Sequence, residues 1–227
     1  MWLDSRGLQL SDYPRPSVTV DVALLTVIET GTGTLPAVLV ARRPGGDWAL
    51  PGTFLRIDER LHSAALRALR DKVGVTGEHP RQLRVFDDPG RDPRGRVVTV
   101  AHVDLVHPAR LAGRLTDSVR LAPLVAERFV LPDGQERLAF DHDLITAEAM
   151  RWARGTYTGR PDPARLLGGT FTLNDLRRLH AAIHGGPLQK DTFRRRMEPL
   201  LVPTGERSSG SVGRPAQFYR RRNDLDN

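Results

Sequence analysis

The sequence predicts an α/β fold over its first 155 residues, followed by a small unit of two helices and a hairpin. Three observations carry that reading. Long β-branched apolar runs alternate with helical periodicity, a Gly- and Pro-rich segment interrupts the chain near residue 155, and the balance of charge changes beyond it. At 227 residues the chain has room for one or two domains with sizeable cores. Hydrophobic residues make up 39% and charged residues 27%, which excludes a disordered chain. No run approaches the ~18 apolar residues of a membrane span, so no membrane partner is expected. The lack of cysteine excludes disulfides, a thiol nucleophile and cysteine zinc sites. The start, Met1 to Arg6, has no basic segment leading into an apolar one, so no signal peptide is expected and the cytoplasm is the default compartment.

The elements follow in order. Residues 1–16 are polar, contain Tyr13-Pro14-Arg15-Pro16, and read as an extended arm. Ser17 to Ile28 is a nearly continuous apolar run, the pattern of a strand covered on both faces. A turn at Thr30 to Thr34 leads to a second strand, Ala37 to Ala41, and Trp48 to Phe54 reads as a loop with a Pro-Gly turn. Asp58 is the expected N-cap of a helix reaching Val73, with Glu59 in its first turn and Gly74 as C-cap. Leu61, Ala65, Leu66, Leu69 and Val73 give its apolar face. Leu83 to Phe86 and Val97 to Val106 read as strands joined by a polar loop rich in Arg and Asp. Arg128 to Leu131 is a short strand and Asp143 to Arg154 a second helix.

Gly155 to Pro163 is the best linker in the chain and the expected mobile element. Beyond it, Thr172 caps a helix to His184, with Asp175 completing a capping box. Gly185-Gly186-Pro187 turns, Asp191 is the expected cap of a short helix from Thr192 to Glu198, and Leu200 to Thr204 pairs with Ala216 to Arg221. Two helices, a glycine turn and a hairpin make a winged helix-turn-helix. The formal charge is +7, of which residues 1–164 carry +1 and the last 63 carry +6. Arg is abundant throughout, but abundance alone does not explain why acids balance it in one part and not the other. A basic terminal unit facing a polyanion does.

The segment Leu50 to Val75 resembles the Nudix box: Gly, five residues, Glu, seven residues, then Arg-Glu-apolar-any-Glu-Glu-any-Gly-apolar. Thr53 stands at the Gly position, with Gly52 before it. Glu59, Arg67, Leu69, Gly74 and Val75 match, while Ala68, Asp71 and Lys72 replace the three later Glu residues. In the family those carboxylates lie on one helix face and hold hard divalent cations that polarise a diphosphate and the attacking water. Here their formal charge sums to 0 instead of −3, and an ammonium repels a metal. The resemblance therefore implies a Nudix-like α/β/α sandwich with a mixed sheet, but no metal, no cofactor, no catalytic residue and no enzyme. The terminal unit resembles the winged helix that follows degenerate Nudix domains in bacterial transcriptional regulators, including those of NAD metabolism. The carrying residues are Phe171 to His180, Phe193 to Met197, and Gly213 to Arg220.

Candidate DNA contacts follow from helical geometry. Phe193 and Met197 share a face and are assigned to the core. Thr192, Arg195 and Arg196 then face the major groove, where Arg forks onto guanine. Lys190 and Arg194 are phosphate contacts, and Arg207 and Arg214 belong to a basic wing for phosphate or the minor groove. Taken alone, the Arg triplet reads equally as a solvated face. Candidate ligand contacts are Arg42, Arg43, Arg56 and Arg94, whose guanidinium groups suit a diphosphate, and Glu59 of the box. Trp48 either stacks an adenine or packs in the core. His102 and His142 read as hydrogen-bonded structural histidines.

The resemblance implies ADP-ribose or a related NAD-derived effector. The expected organisation is an arm at 1–16, an effector-binding Nudix-like domain at 17–155, a linker at 156–170, a winged helix-turn-helix at 171–222 and a tail at 223–227. The expected function is a ligand-responsive repressor, acting as a homodimer on a double-stranded operator. The alternatives are an ADP-ribose or nucleoside diphosphate hydrolase with an accessory basic domain, and a sensor whose tail recruits protein.

Overall fold

A computed structural model describes residues 3–31, 33–208 and 215–222. The central strand β1 (Ser17–Thr30) owes its position to its composition: from Thr19 to Val27 every residue is buried, which requires cover on both faces and a strand on each side. It pairs antiparallel with β2 (Gly33–Arg42) and parallel with β6 (Val97–Leu105). The sheet continues outward to β5 (Arg81–Phe86) on one side, and to β7 (Val119–Val125) and β8 (Arg128–Phe129) on the other. The expected loop at Trp48 to Phe54 instead contributes two short strands, β3 (Trp48–Ala49) on β2 and β4 (Gly52–Phe54) on β1.

Helices cover both faces, giving the expected α/β/α layering. On one side α1 (Leu61–Val73) packs Ala64, Ala65, Leu69 and Val73 against Val20, Val22, Leu24 and Leu39, joined by Leu111 of the short α2 (Ala109–Ala112). α1 ends at Gly74, left-handed at φ 65°. Its start differs from expectation: Arg60 holds the N-cap position, and Asp58 makes no cap. On the other side α3 (His142–Tyr157) packs Ile145, Ala149, Met150 and Ala153 against Ala23, Leu25, Val38 and Val40. The arm is not fully extended, since Asp4 Oδ1 accepts the backbone N–H of Arg6 and Leu8 and a 3₁₀ turn forms at Leu10–Asp12.

The terminal unit comprises β9 (Phe171–Thr172), α4 (Leu173–His184), α5 (Lys190–Met197), β10 (Leu201–Arg207) and β11 (Gln217–Arg221). Thr172 and Asp175 form the expected reciprocal capping box. α5 starts two residues earlier than expected, capped by the Gln189 side chain on the Thr192 N–H and not by Asp191. Phe171, Leu176, Phe193, Met197, Leu201 and Tyr219 form a small core of their own. α4 serves two cores: Leu176 belongs to this one, while Leu179 and Ile183 belong to the core beneath the large sheet.

The segment expected to be a mobile linker is packed. Gly155 to Tyr157 complete α3, and Asp162 is wholly buried. Its carboxylate accepts the Tyr157 hydroxyl at 2.6 Å, the N–H groups of Leu166 and Leu167 at 3.0 Å each, and Arg221 Nη2 from β11 at 2.5 Å. Arg221 Nε also donates to the Asp162 carbonyl at 2.8 Å. Burial, then the neighbouring Asp162 charge, push the Tyr157 phenol up, so it stays a donor. Among the described residues no helix is long and apolar enough to cross a membrane.

Candidate effector cleft and nucleic-acid interface

Gly52 on β4 lies against Asp21 of β1 because these strands are paired directly opposite. A Cβ on Gly52 would stand 2.0 Å from Asp21 Oδ1 and 3.0 Å from the Val20 carbonyl, so nothing larger than glycine fits without movement. Asp21 is buried between Arg91 Nη2 and His142 Nε2, each 3.5 Å away. His142 Nδ1 accepts the Leu50 N–H at 3.0 Å, which assigns a neutral ring's proton to Nε2, facing Asp21. Arg91 forks onto Asp141 at 2.9 and 2.6 Å. Burial alone would raise the Asp21 pKa. The facing His142, a hydrogen bond from Thr99 and the Arg91 charge outweigh it and hold the carboxyl below its ordinary value.

Over this floor opens a cleft of about 430 Å³. Four cations line it: Arg42, Arg43, Lys72 and Arg94. The Arg43 guanidinium lies 4.3 Å from the Phe140 ring centroid, and that of Arg94 lies 5.1 Å from Phe140 and 5.3 Å from Phe54. Each arginine also has a carboxylate: Asp133 for Arg42, Asp47 for Arg43 and Asp92 for Arg94. The site suits a bound anion with an aromatic-edged pocket beside it.

The residues at the family's metal positions do not fit a divalent cation. Ala68 is 1% exposed and offers no donor, Asp71 Oδ1 accepts Arg70 Nε at 2.9 Å, and Lys72 brings positive charge. Glu59 is committed elsewhere: Arg67 forks onto it at 2.8 and 2.7 Å. That pairing, against slight desolvation, lowers the Glu59 pKa from its ordinary 4.5 to about 2. Among the described residues no three His, Cys, Asp or Glu side chains converge as a metal site.

Of the expected ligand residues, Arg42, Arg43 and Arg94 line the cleft together, while Trp48, Arg56 and Glu59 do not. Trp48 is 1% exposed and part of the core beneath the sheet, so it presents no face to a base. Arg56 is exposed outside the cleft lining, and Glu59 orients Arg67. Lys72, Asp21, Phe54 and Phe140 belong to the site without having been expected there. Lys72 carried a signal, as the misfit of the box, but the other three did not. His142 and His102 are both buried and hydrogen-bonded.

The second surface is α5. Phe193 and Met197 are buried, and Lys190, Thr192, Arg194, Arg195 and Arg196 are exposed. Arg195 makes no ion pair among the described residues. Arg194 forks onto Glu198 at 2.8 and 3.2 Å, and this pairing holds the Glu198 carboxyl below its ordinary range. Arg196 turns away from the expected direction: its Nη2 comes within 3.4 Å of where a Gly159 Cβ would be, near His184. A groove of about 680 Å³ separates α5 from the hairpin, with Arg177, Lys190, Arg194 and Arg207 along it. Arg214 lies outside the described residues.

Two family models match the chain. The NUDIX domain family matches residues 19–130, and the NrtR DNA-binding winged helix domain family matches residues 163–221. The ADPR responsive transcriptional repressor NtrR of Acinetobacter baylyi is 34% identical over 220 residues, covering 93% of this chain and 84% of that protein. Shewanella oneidensis NrtR in complex with a 27mer DNA superposes with a TM-score of 0.70 at 32% identity, covering 91% of this chain and 94% of that one. The NUDIX domain of the same protein in complex with ADP ribose gives 0.51 at 27% identity, over 65% of this chain and 94% of that one. An ADP-ribose pyrophosphatase of Methanocaldococcus jannaschii is 32% identical over 147 residues, covering 63% of this chain and 78% of that protein.

Proposed function

We propose a function from one premise: this chain belongs to the NrtR family, the transcriptional regulators that join a Nudix domain to a winged helix. It is a DNA-binding repressor that responds to ADP-ribose or a close nucleoside diphosphate relative. The observation that carries this reading is the cleft at the Nudix box, where Arg42, Arg43, Lys72 and Arg94 stand around a site that lacks metal-binding carboxylates. Such a site holds a diphosphate without activating water to cleave it. Arg195 and Thr192 read base edges, and Lys190 and Arg207 hold phosphates. Two copies engage two half-sites as a homodimer.

Control of DNA binding is thermodynamic linkage. An effector that binds one arrangement of the DNA-binding units better than another shifts DNA affinity by the same factor, typically ~5- to 150-fold. α3 runs from the cleft, which His142 lines, to Tyr157 and the Asp162–Arg221 pair of the winged helix. Effector-dependent shifts at the cleft therefore act on a packed connection and not on a loose tether.

The test is binding to DNA from the region upstream of the protein's own gene, at two salt concentrations, with and without ADP-ribose. The expected result is a salt-sensitive, sequence-specific complex whose affinity ADP-ribose changes at least ~5-fold. A complex indifferent to ADP-ribose overturns the effector assignment. The similarity to an ADP-ribose pyrophosphatase favours hydrolysis as the second reading. Magnesium-dependent breakdown of ADP-ribose by the pure protein would establish it and remove the assignment as a non-enzyme.

A further inference from the structure

We propose that Lys72 takes the place of the divalent cation, so that the cleft binds its diphosphate ligand without metal. This rests on the reading of the cleft as an effector site. The Nudix fold implies a cation against the diphosphate, and the residues here refuse one. Ala68 supplies nothing, the Asp71 carboxylate is drawn to Arg70, and Lys72 enters the cleft from the same helix. A positive charge is thus present where the fold expects one, but it is part of the chain.

The other cations of the cleft are less free to do this. Arg42 is paired with Asp133, Arg43 with Asp47, and Arg94 forks onto Asp92 at 2.9 and 2.7 Å, so each charge is locally compensated. Lys72 is exposed and has no hydrogen bond or ion pair among the described residues. Its charge is uncompensated, and a compact ammonium on a flexible stem can follow a phosphate that a rigid guanidinium cannot reach. Asp21, the carboxylate in the cleft lining, is drawn down between Arg91 and His142, so it competes little for Lys72. The Phe140 ring lies against Arg43 and Arg94, and the Phe54 ring against Arg94, which orients those two guanidinium groups. Lys72 is then the contact that changes most when a diphosphate arrives, and the arginines frame it.

The chemistry separates this arrangement from a metal site. A diphosphate held through a metal is released when a chelator removes the metal, whereas one held by an ammonium is not. Calorimetric titration of the full-length protein with ADP-ribose, in EDTA and in magnesium, reads the difference. Wild-type affinity is expected to agree within about twofold between the two buffers. Lys72→Ala, at an exposed position that leaves the fold intact, is expected to weaken binding about tenfold or more in both, the loss of one charged hydrogen bond. Lys72→Glu is expected to weaken it further in EDTA and to recover part of the loss in magnesium. Titration with adenosine, which has no phosphate, is expected to be unaffected by Lys72→Ala.

Wild-type binding that EDTA abolishes would overturn the proposal, as would Lys72→Ala binding as tightly as wild type. In both cases the effector reading survives. No binding of ADP-ribose by the wild type in either buffer removes the effector reading and this proposal with it.

Discussion

Replacing Asp162 with Ala should cost this protein about 4–5 kcal/mol of stability. Asp162 has no exposed surface, and the Arg221 side chain it pairs with is 9% exposed. Removing one partner of a buried pair costs ~3–5 kcal/mol, because the other charge stays in a medium that solvates it poorly. The Tyr157 hydroxyl and the N–H groups of Leu166 and Leu167 lose their acceptor as well, which places the cost at the top of that range. Against a total of ~5–15 kcal/mol this is severe. In urea, with a slope of ~2–3 kcal/mol per molar, the midpoint falls by about 1.3–2.5 M. Tryptophan fluorescence follows the transition through Trp48, which is buried in the large core. Asp162→Asn, which keeps the shape and loses the charge, should cost about 2 kcal/mol. The double variant Asp162→Ala, Arg221→Met should be less damaging than the two single losses added, by at least ~1 kcal/mol. A loss below about 1 kcal/mol for Asp162→Ala would show that the segment behaves as a solvated tether and would refute the packed connection.

Gly52→Ala should destabilise the protein by about 1–3 kcal/mol and weaken ADP-ribose binding in titration, because its Cβ meets Asp21 Oδ1 at 2.0 Å. Glu59 is held at a pKa of about 2 against an ordinary 4.5, so its stabilising pairing with Arg67 is complete above about pH 4.5 and is lost as pH falls through about 2. The difference in urea midpoint between wild type and Glu59→Gln should therefore be present near neutrality and shrink across that acid window. Arg195→Ala should weaken specific DNA binding by about 1–3 kcal/mol, measured by fluorescence anisotropy against a scrambled sequence. Arg207→Ala should weaken binding to all sequences alike and flatten the salt dependence.

Features that depend on short-range pattern were legible in the residues alone. A continuous apolar run from Ser17 specified a strand buried on both faces, and Gly74 and the Thr172–Asp175 box specified helix ends through local hydrogen bonding and left-handed geometry. Phe193 and Met197 identified the buried face of α5 because residues four apart share a helix face. The loss of the metal carboxylates was visible because ligand chemistry is written in residue type. The strand β7 and the short α2 were missed, since Val119 to Val125 is interrupted by Arg120 and Pro123 and carries little signal alone.

Features that join residues far apart in the chain were settled by the fold. Trp48 enters the core because the pairing of β3 with β2 turns it inward, a fact of register and not of composition. Asp21, His142 and Phe140 meet Lys72 at one cleft although they stand about 120 positions apart at the extremes. The polar, Gly- and Pro-rich stretch after α3 looked like a linker because its residues are hydrophilic. It is anchored at Asp162, the one buried residue of 158–163, because Arg221, 59 residues later, brings the partner charge that makes burying that carboxylate tolerable. A buried charge can be read from sequence only when its partner is known, and the partner is chosen by the fold.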